Sequence, residues 1–570
     1  MGIKDNTEIK KSSPRQTVQA RFSDGLILEG PLGMPLEAFM AHVAQRDAPP
    51  TVAALVDGEL RELSYPITKD VDVQQLTNAG SDGKRIYQRS LILLMLAAVH
   101  ELFPEARMIL EHSITMTGLL CAVHNRPPFT DQEVKLIEAL MRDIVKQDEP
   151  IVKRQVPLDE ARLMFEARGQ DDKVRLLQNR SKDYLVIYSL RGVQDYFYGY
   201  MVPSTGYMQY FDLIPHPLGF ILRAPRRGNP TQMPWGRDAP KLDQIFSQYG
   251  RWLRALDISD VGTLNQSIQS GRIREVILIS EALHEQHVVN IAAQIAEHSP
   301  RVRLVLIAGP SSSGKTTFSK RLAVQLLARG LRPVPVEMDN YFVSRQLTPR
   351  DEQGNLDFEH IRALDLELFK ADMLKLMDGQ EIQMPRYDFG SGEREPGRIM
   401  RVGRESIIIA EGIHGMNPEL ISGIPGESIY RIYISALTQL NLDDHNRIPT
   451  TDTRLLRRIV RDAQYRGYSA VETINRWESV RRGENRWIFP YQENADAMFN
   501  SALAYELAVL KPYAEPLLRY AEPGTLAYVE SKRLLAFLQW FSPCPIDLVP
   551  DNSLLREFIG GSILHDFTLA

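Results

Sequence analysis

The sequence predicts an α/β protein whose C-terminal domain is built on a parallel sheet and is preceded by a small β-sheet domain and an α+β domain. From Arg301 onward, apolar strands such as VRLVLIAG and SIIIAEG alternate with helical patterns, which is typical of a parallel sheet. Between Thr17 and Val73, short alternating runs separated by Gly and Pro turns indicate a small sheet. The 570 residues also exceed what one hydrophobic core can organise.

Local composition suggests where the domains begin and end. The segment from Arg223 to Pro240 concentrates Pro, Gly and Arg and is typical of a boundary, and a mostly helical pattern follows it. Before it, an apolar helix from Arg89 to Phe103 should be buried, and Thr130 and Glu133 form a predicted capping box. We therefore expect a disordered tail (1–15), the small β-sheet domain (16–75), the α+β domain (76–225), a linker and helical connector (226–298), and the C-terminal domain with its extension (299–570).

Charge and cysteine content narrow the class of protein. The chain has 67 Lys and Arg against 72 Asp and Glu, a net charge of -5, which argues against broad adhesion to nucleic acid but leaves a local basic patch open. Cys121 and Cys544 have no zinc or redox spacing, which favours a reducing, cytoplasmic location. The longest strongly apolar run, Leu91 to Val99, is about half a membrane span, so no membrane partner is expected.

The stretch from Gly309 to Thr316 fits the phosphate-loop pattern G-x4-G-K-[ST] and lies between a predicted strand and a predicted helix. In such a loop, backbone N–H groups surround phosphate oxygens, Lys315 reaches the β- and γ-phosphates, and the Thr316 hydroxyl coordinates Mg²⁺. We therefore predict ATP and Mg²⁺ as cofactors. The predicted ATP-binding residues are Gly309, Ser311, Ser312, Ser313, Gly314, Lys315, Thr316 and Thr317.

Two carboxylates follow strands of the predicted parallel sheet. Asp339 follows PVPVE and Glu411 ends SIIIA. Because the carboxyl ends of the strands meet at the ligand crevice, both acids can converge on one phosphate. Glu411 suits a place on the Mg²⁺ side, and Asp339 suits a base that accepts a proton from an attacking hydroxyl. An exposed turn carboxylate is the alternative for each.

An arginine-rich region lies further along the chain. From Arg454 to Arg486 there are nine arginines and no lysine, and Arg454, Arg458 and Arg461 recur at helical spacing. Arginine forms bidentate contacts with phosphate, so we predict that this region stabilises charge during transfer. A solvated helix with salt bridges is the alternative, although only four acids lie in the window.

Together these motifs resemble the phosphoribulokinase/uridine kinase family of P-loop kinases. GPSSSGKTT, DNYF, PRYDF, IIIAEGI and DTRLLRRIVRD...RG occur in the family's order and approximate spacing over about residues 300–515. The resemblance implies that Asp339 is the general base and that Thr316 and Glu411 help to place Mg²⁺. It also implies further roles: a lid over ATP formed by Arg458, Arg461 and Arg466, an acceptor pocket lined by Tyr387 and Phe389, and sugar-hydroxyl binding by Asp357.

Some family positions differ in this chain. The residue that reads pyrimidines in uridine kinases, a histidine, is replaced by Gly392, whereas Arg394 is kept. The family's F-D-H-P becomes Leu356 to Glu359, and its R-G-R becomes Arg466-Gly467-Tyr468. Phosphate-handling positions are kept and base-reading positions are not, so kinase chemistry has stronger support than uridine as the acceptor.

Residues 16–225 resemble the two N-terminal modules of threonyl-tRNA synthetase, a TGS-type β-grasp domain and an editing-type domain. The four metal-ligand positions of the latter hold Arg89, Leu93, Phe197 and Met201. These side chains cannot bind zinc, so we predict no editing hydrolysis. The modules are candidates for RNA contact, ligand sensing or assembly, including formation of a homo-oligomer.

The combined prediction is a cytoplasmic Mg²⁺-ATP-dependent kinase that phosphorylates a hydroxyl of a nucleoside. Asp339, Lys315, Arg458, Arg461 and Arg466 are the predicted catalytic set. The acceptor would contact Asp357, Tyr387, Phe389 and Arg394. Two alternatives are a kinase for a sugar phosphate or other non-nucleoside alcohol, and a nucleotide-gated RNA-binding or regulatory protein.

Overall fold

The N-terminal sheet has five strands and one short helix. The computed structural model describes residues 13–43, 49–114, 118–226, 228–233 and 239–567. Residues 1–12 of the predicted tail and residues 227 and 234–238 of the predicted linker lie outside these ranges. The sheet order is β2-β1-β5-β3-β4, with β1 and β5 parallel. Its elements are β1 (Thr17–Phe22), β2 (Ile27–Pro31), α1 (Leu36–Met40), β3 (Thr51–Val56), β4 (Glu59–Glu62) and β5 (Val71–Thr77).

The next part of the chain is α+β and surrounds a buried helix. Its strands form a sheet of order β11-β12-β7-β6 and a sheet of order β10-β9-β8. Every residue of the apolar run from Leu91 to Val99 is buried, and the predicted capping box at Thr130 is present. The elements are α2 (Ser81–Leu102), β6 (Arg107–Ile114), β7 (Gly118–His124), α3 (Asp131–Gln147), β8 (Val152–Pro157), α4 (Leu158–Glu166), α5 (Asp171–Leu177), β9 (Tyr184–Leu190), β10 (Val193–Tyr196), β11 (Asp212–His216) and β12 (Gly219–Arg223).

Three helices then lead to the C-terminal part: α6 (Pro240–Ala255), α7 (Val261–Gln269) and α8 (Ile273–Glu297). Their buried side chains share one hydrophobic core with residues on both sides of them, from Val156 to Ile559. The two halves of the chain therefore pack as neighbours with a common interior. Among the helices of the described ranges, none combines the length and the apolar character that crossing a membrane requires.

The C-terminal part contains the predicted parallel sheet. Its order is β14-β17-β13-β18-β21, and every neighbouring pair is parallel, which confirms the predicted fold class. The elements are β13 (Leu304–Ala308), α9 (Lys315–Leu327), β14 (Arg332–Glu337), α10 (Leu366–Met377), β15 (Glu381–Asp388), β16 (Glu393–Arg401), β17 (Ser406–Glu411), β18 (Ile429–Ser435), β19 (Asn441–Asp443), β20 (Asn446–Arg447), α11 (Thr450–Tyr465), α12 (Ala470–Trp487), β21 (Ala497–Asn500), α13 (Glu506–Leu518), α14 (Leu526–Leu538) and α15 (Arg556–Ile559).

The register of this sheet fixes the location of the site. Glu411 pairs with Ile307 of β13 on one side and with Glu337 of β14 on the other. The chain leaves β13 into the phosphate loop and leaves β14 into a 3-10 turn, Met338–Tyr341, that carries Asp339. Three strands thus deliver the loop and both predicted carboxylates to the same edge, as expected at the carboxyl ends of a parallel sheet.

Candidate active site

The phosphate loop has backbone geometry that restricts its residues. A Cβ atom on Gly309 would lie 2.0 Å from the carbonyl oxygen of Ile434 on the next strand, so only glycine fits there. Gly314 has φ +87°, a conformation that glycine adopts without strain. Ser312 shares this left-handed region with φ +59°. These turns curl the backbone into a cradle before α9 begins at Lys315.

Helix α11 holds the loop from outside. Nη1 of Arg458 donates to Oγ of Ser311 at 2.9 Å, and Nε of Arg454 donates to the Ser311 carbonyl at 2.8 Å. Nη1 of Arg457 reaches the Ser312 carbonyl at 3.4 Å. The arginine-rich helix therefore positions the loop itself, in addition to any contact with phosphate.

Two of these arginines belong to the protein interior. Arg454 is 1% exposed and forms an ion pair with Glu484, whose carboxylate also accepts the Ser311 N–H at 3.0 Å. Arg457 is fully buried and donates to Glu506 at 2.6 Å. The helical spacing grouped Arg454 with Arg458 and Arg461 as a phosphate-facing set; Arg454 instead supports the loop from behind.

The three predicted lid arginines surround one carboxylate. Arg458 and Arg461 lie 3.2 and 3.1 Å from the oxygens of Asp462, and Arg466 lies 3.6 Å away. Asp462 is buried, and burial lowers the pKa of Arg458. Three guanidinium groups around one carboxylate leave an excess of positive charge beside the loop, which suits an anion.

The two predicted carboxylates lie together beside the loop. The Thr316 hydroxyl donates to Oε1 of Glu411 at 3.1 Å. Burial raises the pKa of Glu411 to about 7, Lys315 opposes the rise, and the charge of Asp339 adds to it. Asp339 is exposed, yet the surrounding protein raises its pKa, against the pull of Lys315. An acid of raised pKa facing Lys315 matches what a general base in a phosphoryl-transfer site requires.

The donor atoms near Thr316 fit Mg²⁺. Oε2 of Glu411 is buried and has no hydrogen-bond partner within the described ranges, and Thr316 contributes a hydroxyl oxygen. Across those same ranges no group of three or more His, Cys, Asp or Glu side chains is arranged to hold a metal. Mg²⁺ needs no such group, because it keeps several waters and takes phosphate oxygens as ligands.

An aromatic wall, formed by Phe342, Tyr387 and Phe389, lies next to the turn that carries Asp339. The ring centroids of Tyr387 and Phe389 are 5.0 Å apart, and Phe342 packs 5.5 Å from Tyr387. The Tyr387 N–H donates to Oδ1 of Asn340 at 3.3 Å, which ties β15 to the turn that carries Asp339. The Tyr387 hydroxyl is buried and makes no hydrogen bond among the described residues, whereas Phe389 is 59% exposed.

Two acids flank Phe358, whose ring centroid lies 6.2 Å from that of Phe342 in the aromatic wall. Asp357 accepts the N–H of Glu359 at 3.1 Å, and Oε2 of Glu359 is buried and unpaired in the part of the chain that the structure describes. Burial and the nearby Glu484 raise the pKa of Glu359 to about 7. Arg394 donates to Asp365 at 2.8 Å, so this predicted substrate-binding cation already has a partner in the protein.

Three acids beside the loop were missed by the sequence analysis. Glu484 accepts the Ser311 N–H, Glu557 accepts the Thr317 N–H at 3.1 Å, and Glu359 interacts electrostatically with Lys315 and Arg458. Glu359 lies at a family position that differs in this chain, whereas Glu484 and Glu557 lie in no motif of the sequence analysis. The available signal was the small number of acids in the arginine-rich region, which marks Glu484 as a candidate partner, but no local pattern indicates Glu557.

The synthetase-like part of the chain shows how its former ligand positions are filled. Leu93, Phe197 and Met201 are buried apolar side chains. Arg89 donates to the carbonyl of Tyr200 at 2.8 Å, and burial lowers its pKa. An arginine and three apolar side chains offer no donor set for zinc at these positions.

Comparisons with known proteins find two different similarities in this chain. Residues 304–507 match the model of the Phosphoribulokinase / Uridine kinase family. The N-terminal region is similar to threonine–tRNA ligases. The ligase of Symbiobacterium thermophilum is 34% identical over 202 residues, which are 35% of this chain and 30% of the relative. That of Burkholderia vietnamiensis is 30% identical over 198 residues, 35% of this chain and 31% of the relative.

The chain thus spans about a third of the length of the curated relatives it matches. Among solved structures, a possible uridine kinase from Bacillus stearothermophilus aligns at 22% identity and a TM-score of 0.22, covering 26% of this chain and 79% of that one. A D-glycerate 3-kinase from Cryptococcus neoformans aligns at 17% identity and a TM-score of 0.20, covering 48% and 87%.

Proposed function

We propose that this protein is a Mg²⁺-ATP-dependent kinase that transfers the γ-phosphate to a hydroxyl of a nucleoside-like acceptor, with Asp339 as the general base. The observation that carries the proposal is the position of Asp339. Its carboxyl interacts electrostatically with Lys315, Arg461 and Arg466, and the neighbouring Asn340 accepts a hydrogen bond from the Tyr387 N–H of the aromatic wall. The family match over residues 304–507 supports the same chemistry.

In the proposed reaction, Asp339 accepts the proton of the acceptor hydroxyl while the hydroxyl oxygen bonds to the γ-phosphorus. The bond between that phosphorus and the bridging oxygen breaks, and ADP leaves with the bonding electrons. Lys315 and the arginines around Asp462 stabilise the charge on the transferring oxygens. Thr316 and Glu411 would hold Mg²⁺, which supplies charge neutralisation for the β- and γ-phosphates when bound.

The character of the acceptor space supports a neutral molecule with several hydroxyls. Asp357 and Glu359 offer carboxylate oxygens that accept hydrogen bonds from hydroxyls, and the rings of Tyr387 and Phe389 offer a surface for a planar group. Arg394 is paired with Asp365. A phosphorylated sugar would bring its negative charge next to two acids, so this arrangement favours a nucleoside over a sugar phosphate.

The proposal for the N-terminal half is narrower. Its similarity to threonine–tRNA ligases supports RNA contact through this half. Cys121 and Cys544 are free and buried, which supports a cytoplasmic location. A homo-oligomer stays a prediction.

Acceptor-stimulated ADP release tests the proposal. The purified chain would be incubated with Mg²⁺-ATP and, separately, with nucleosides, phosphorylated sugars and RNA. We expect nucleosides to stimulate release. Stimulation by phosphorylated sugars alone would contradict the nucleoside assignment, and RNA binding that responds to ATP without any acceptor-stimulated release would contradict the kinase assignment and favour a nucleotide-gated RNA-binding protein.

A further inference from the structure

The end of the chain packs against the phosphate loop. Helix α15 and the residues before it bury Leu554, Leu555 and Phe558, and the Ser553 hydroxyl donates to Glu281 at 2.5 Å. The contact with the loop is close, because a Cβ atom on Gly314 would lie 2.4 Å from Cδ2 of Leu554. The C-terminal segment, residues 553–567, is therefore anchored and forms one wall of the cradle.

One side chain of this segment enters the cradle itself. Oε2 of Glu557 accepts a hydrogen bond from the Thr317 N–H at 3.1 Å. Thr317 lies in the first turn of α9, where backbone N–H groups of a phosphate loop contact the α- and β-phosphates. Glu557 also lies near enough to Glu411 to repel its charge. A carboxylate thus occupies a donor that a nucleotide phosphate needs.

The segment continues along α9 in the direction away from Lys315. Nζ of Lys320, three residues beyond Thr317, donates to the carbonyls of Leu564 and His565 at 2.7 and 2.8 Å. Because Lys315 is expected at the β- and γ-phosphates, the α-phosphate and the nucleoside extend toward this segment. A bound nucleotide and the Glu557 carboxylate would compete for the same space and the same N–H.

We propose that Glu557 takes the place of an α-phosphate oxygen and is displaced when a nucleotide binds, so that the C-terminal segment sets the affinity for nucleotide. The inference rests on the proposed nucleotide binding. The contact of Glu557 with Thr317 also has a physical reason, because a buried N–H without an acceptor is destabilising. Two anions cannot share that N–H, so nucleotide binding must move the carboxylate.

The test is the Kd of a non-hydrolysable ATP analogue with Mg²⁺, measured by calorimetry. Glu557→Gln keeps the size of the side chain and removes its charge, and we expect binding to become tighter by about tenfold, the effect of losing one like-charge contact. Asp551→Asn is the matched control, since Asp551 is an exposed acid just before the segment, and its Kd should stay within about twofold of wild type. A Kd for Glu557→Gln equal to or weaker than that of wild type would overturn the inference.

Hydrogen exchange provides the second measurement, on the wild-type protein. The N–H groups of Phe558 and Gly560 donate within the short helix to Leu555 and Arg556, and displacement of Glu557 should speed their exchange when the analogue binds. Unchanged or slower exchange would contradict the proposal. A wild-type protein that binds no nucleotide would overturn the proposed function as well, whereas equal binding by wild type and Glu557→Gln would overturn this inference alone.

Discussion

Nζ of Lys173, on α5 in the synthetase-like half, lies 2.9 Å from Oδ1 of Asp443, in the hairpin that leads into the arginine-rich helix α11. It lies equally close to Asp195, and all three side chains are almost fully buried. Burial works against the charge of the lysine, but the two aspartates outweigh it and raise the pKa of Lys173. The two halves are joined by a buried ionic contact directly before the helix that holds the phosphate loop.

Lys173→Met should therefore destabilise the whole chain. The substitution leaves Asp443 buried without its lysine and leaves Asp195 with His445 as its remaining partner, and removing one side of a buried ion pair typically costs about 3–5 kcal/mol. The denaturant midpoint and the melting temperature should both fall. Lys146→Met is the control, because that lysine is 76% exposed in a surface pair with Asp143, and it should change stability by less than about 0.5 kcal/mol. An unchanged midpoint for Lys173→Met would show that the halves are held together by other contacts.

The arginines of α11 should divide into structural and catalytic residues. Arg454→Ala leaves the fully buried Glu484 with only the longer ion pair to Arg481 and removes the hydrogen bond to the Ser311 carbonyl, so we expect a stability loss of about 3 kcal/mol. Arg466 is 51% exposed, so Arg466→Ala should leave stability within about 0.5 kcal/mol and lower kcat by about 10²-fold or more. Thermal denaturation and steady-state rates at saturating ATP distinguish the structural role of Arg454 from the catalytic role of Arg466. A stable, inactive Arg454→Ala variant would contradict this division.

The sequence alone predicts those parts of the site that depend on local backbone conformation. The loop from Gly309 to Thr316 is predictable because its glycines meet local requirements, and the strand ending at Glu411 is predictable because a buried parallel strand is a continuous apolar run. The parallel sheet followed from the alternation of strands and helices.

The rest of the site depends on contacts between distant residues. Glu484 is 173 residues from Ser311, and Glu557 is 240 residues from Thr317. Helical spacing places Arg454 and Arg458 on one side of α11 but does not reveal that Glu484 covers the first of them. Only the packing of α12 and the C-terminal segment decides which arginine is buried and which acid enters the cradle.

Glu359 and Glu411 should contribute less to the stability of the ligand-free protein as pH rises from about 4.5 to about 7. Both titrate near 7 in the folded protein, mainly because of burial, and near 4.5 when unfolded. In that interval the folded state binds more protons at these two groups, so their titration favours unfolding as the pH rises. Buried histidines such as His284 and His414 act in the opposite direction, because burial lowers their pKa. Allowing for solvent screening, each group should contribute roughly 1–2 kcal/mol.

The measurement is the melting temperature at pH 5 and pH 8. Glu359→Gln should remove the part of the pH dependence that Glu359 contributes, because the amide does not ionise. The melting temperature of the variant relative to wild type should therefore be higher at pH 8 than at pH 5. Glu352→Gln, at an exposed acid of the same loop, should leave the pH dependence of the melting temperature unchanged. A melting temperature that falls more steeply from pH 5 to pH 8 in Glu359→Gln than in wild type would contradict the raised pKa of Glu359.

The synthetase-like half should neither bind zinc nor hydrolyse a mischarged tRNA. The former ligand positions hold Arg89 and buried apolar groups, and the Arg89 guanidinium is engaged with the Tyr200 carbonyl. Elemental analysis of the full chain should find less than stoichiometric zinc, and deacylation of mischarged threonyl-acceptor tRNA should match the uncatalysed rate. Metal-dependent deacylation above that rate would overturn the prediction.

Asp339→Asn should separate nucleotide binding from transfer. The amide fills the same space but cannot accept the hydroxyl proton, so kcat should fall by about 10²- to 10⁴-fold, while the Kd for an ATP analogue should not weaken, because Lys315 and the loop N–H groups remain. The pH profile of the wild-type enzyme should show activity lost on the acid side, with an apparent pKa above that of an ordinary aspartate, because the protonated carboxyl cannot act as a base. Glu337→Gln, an exposed acid at the end of β14, removes a charge close to Asp339 and should keep most of kcat. If Asp339→Asn turned over acceptor at the wild-type rate, the proton would have to leave by another route, and the two nearby acids with a pKa of about 7, Glu359 and Glu411, would be the groups to substitute next.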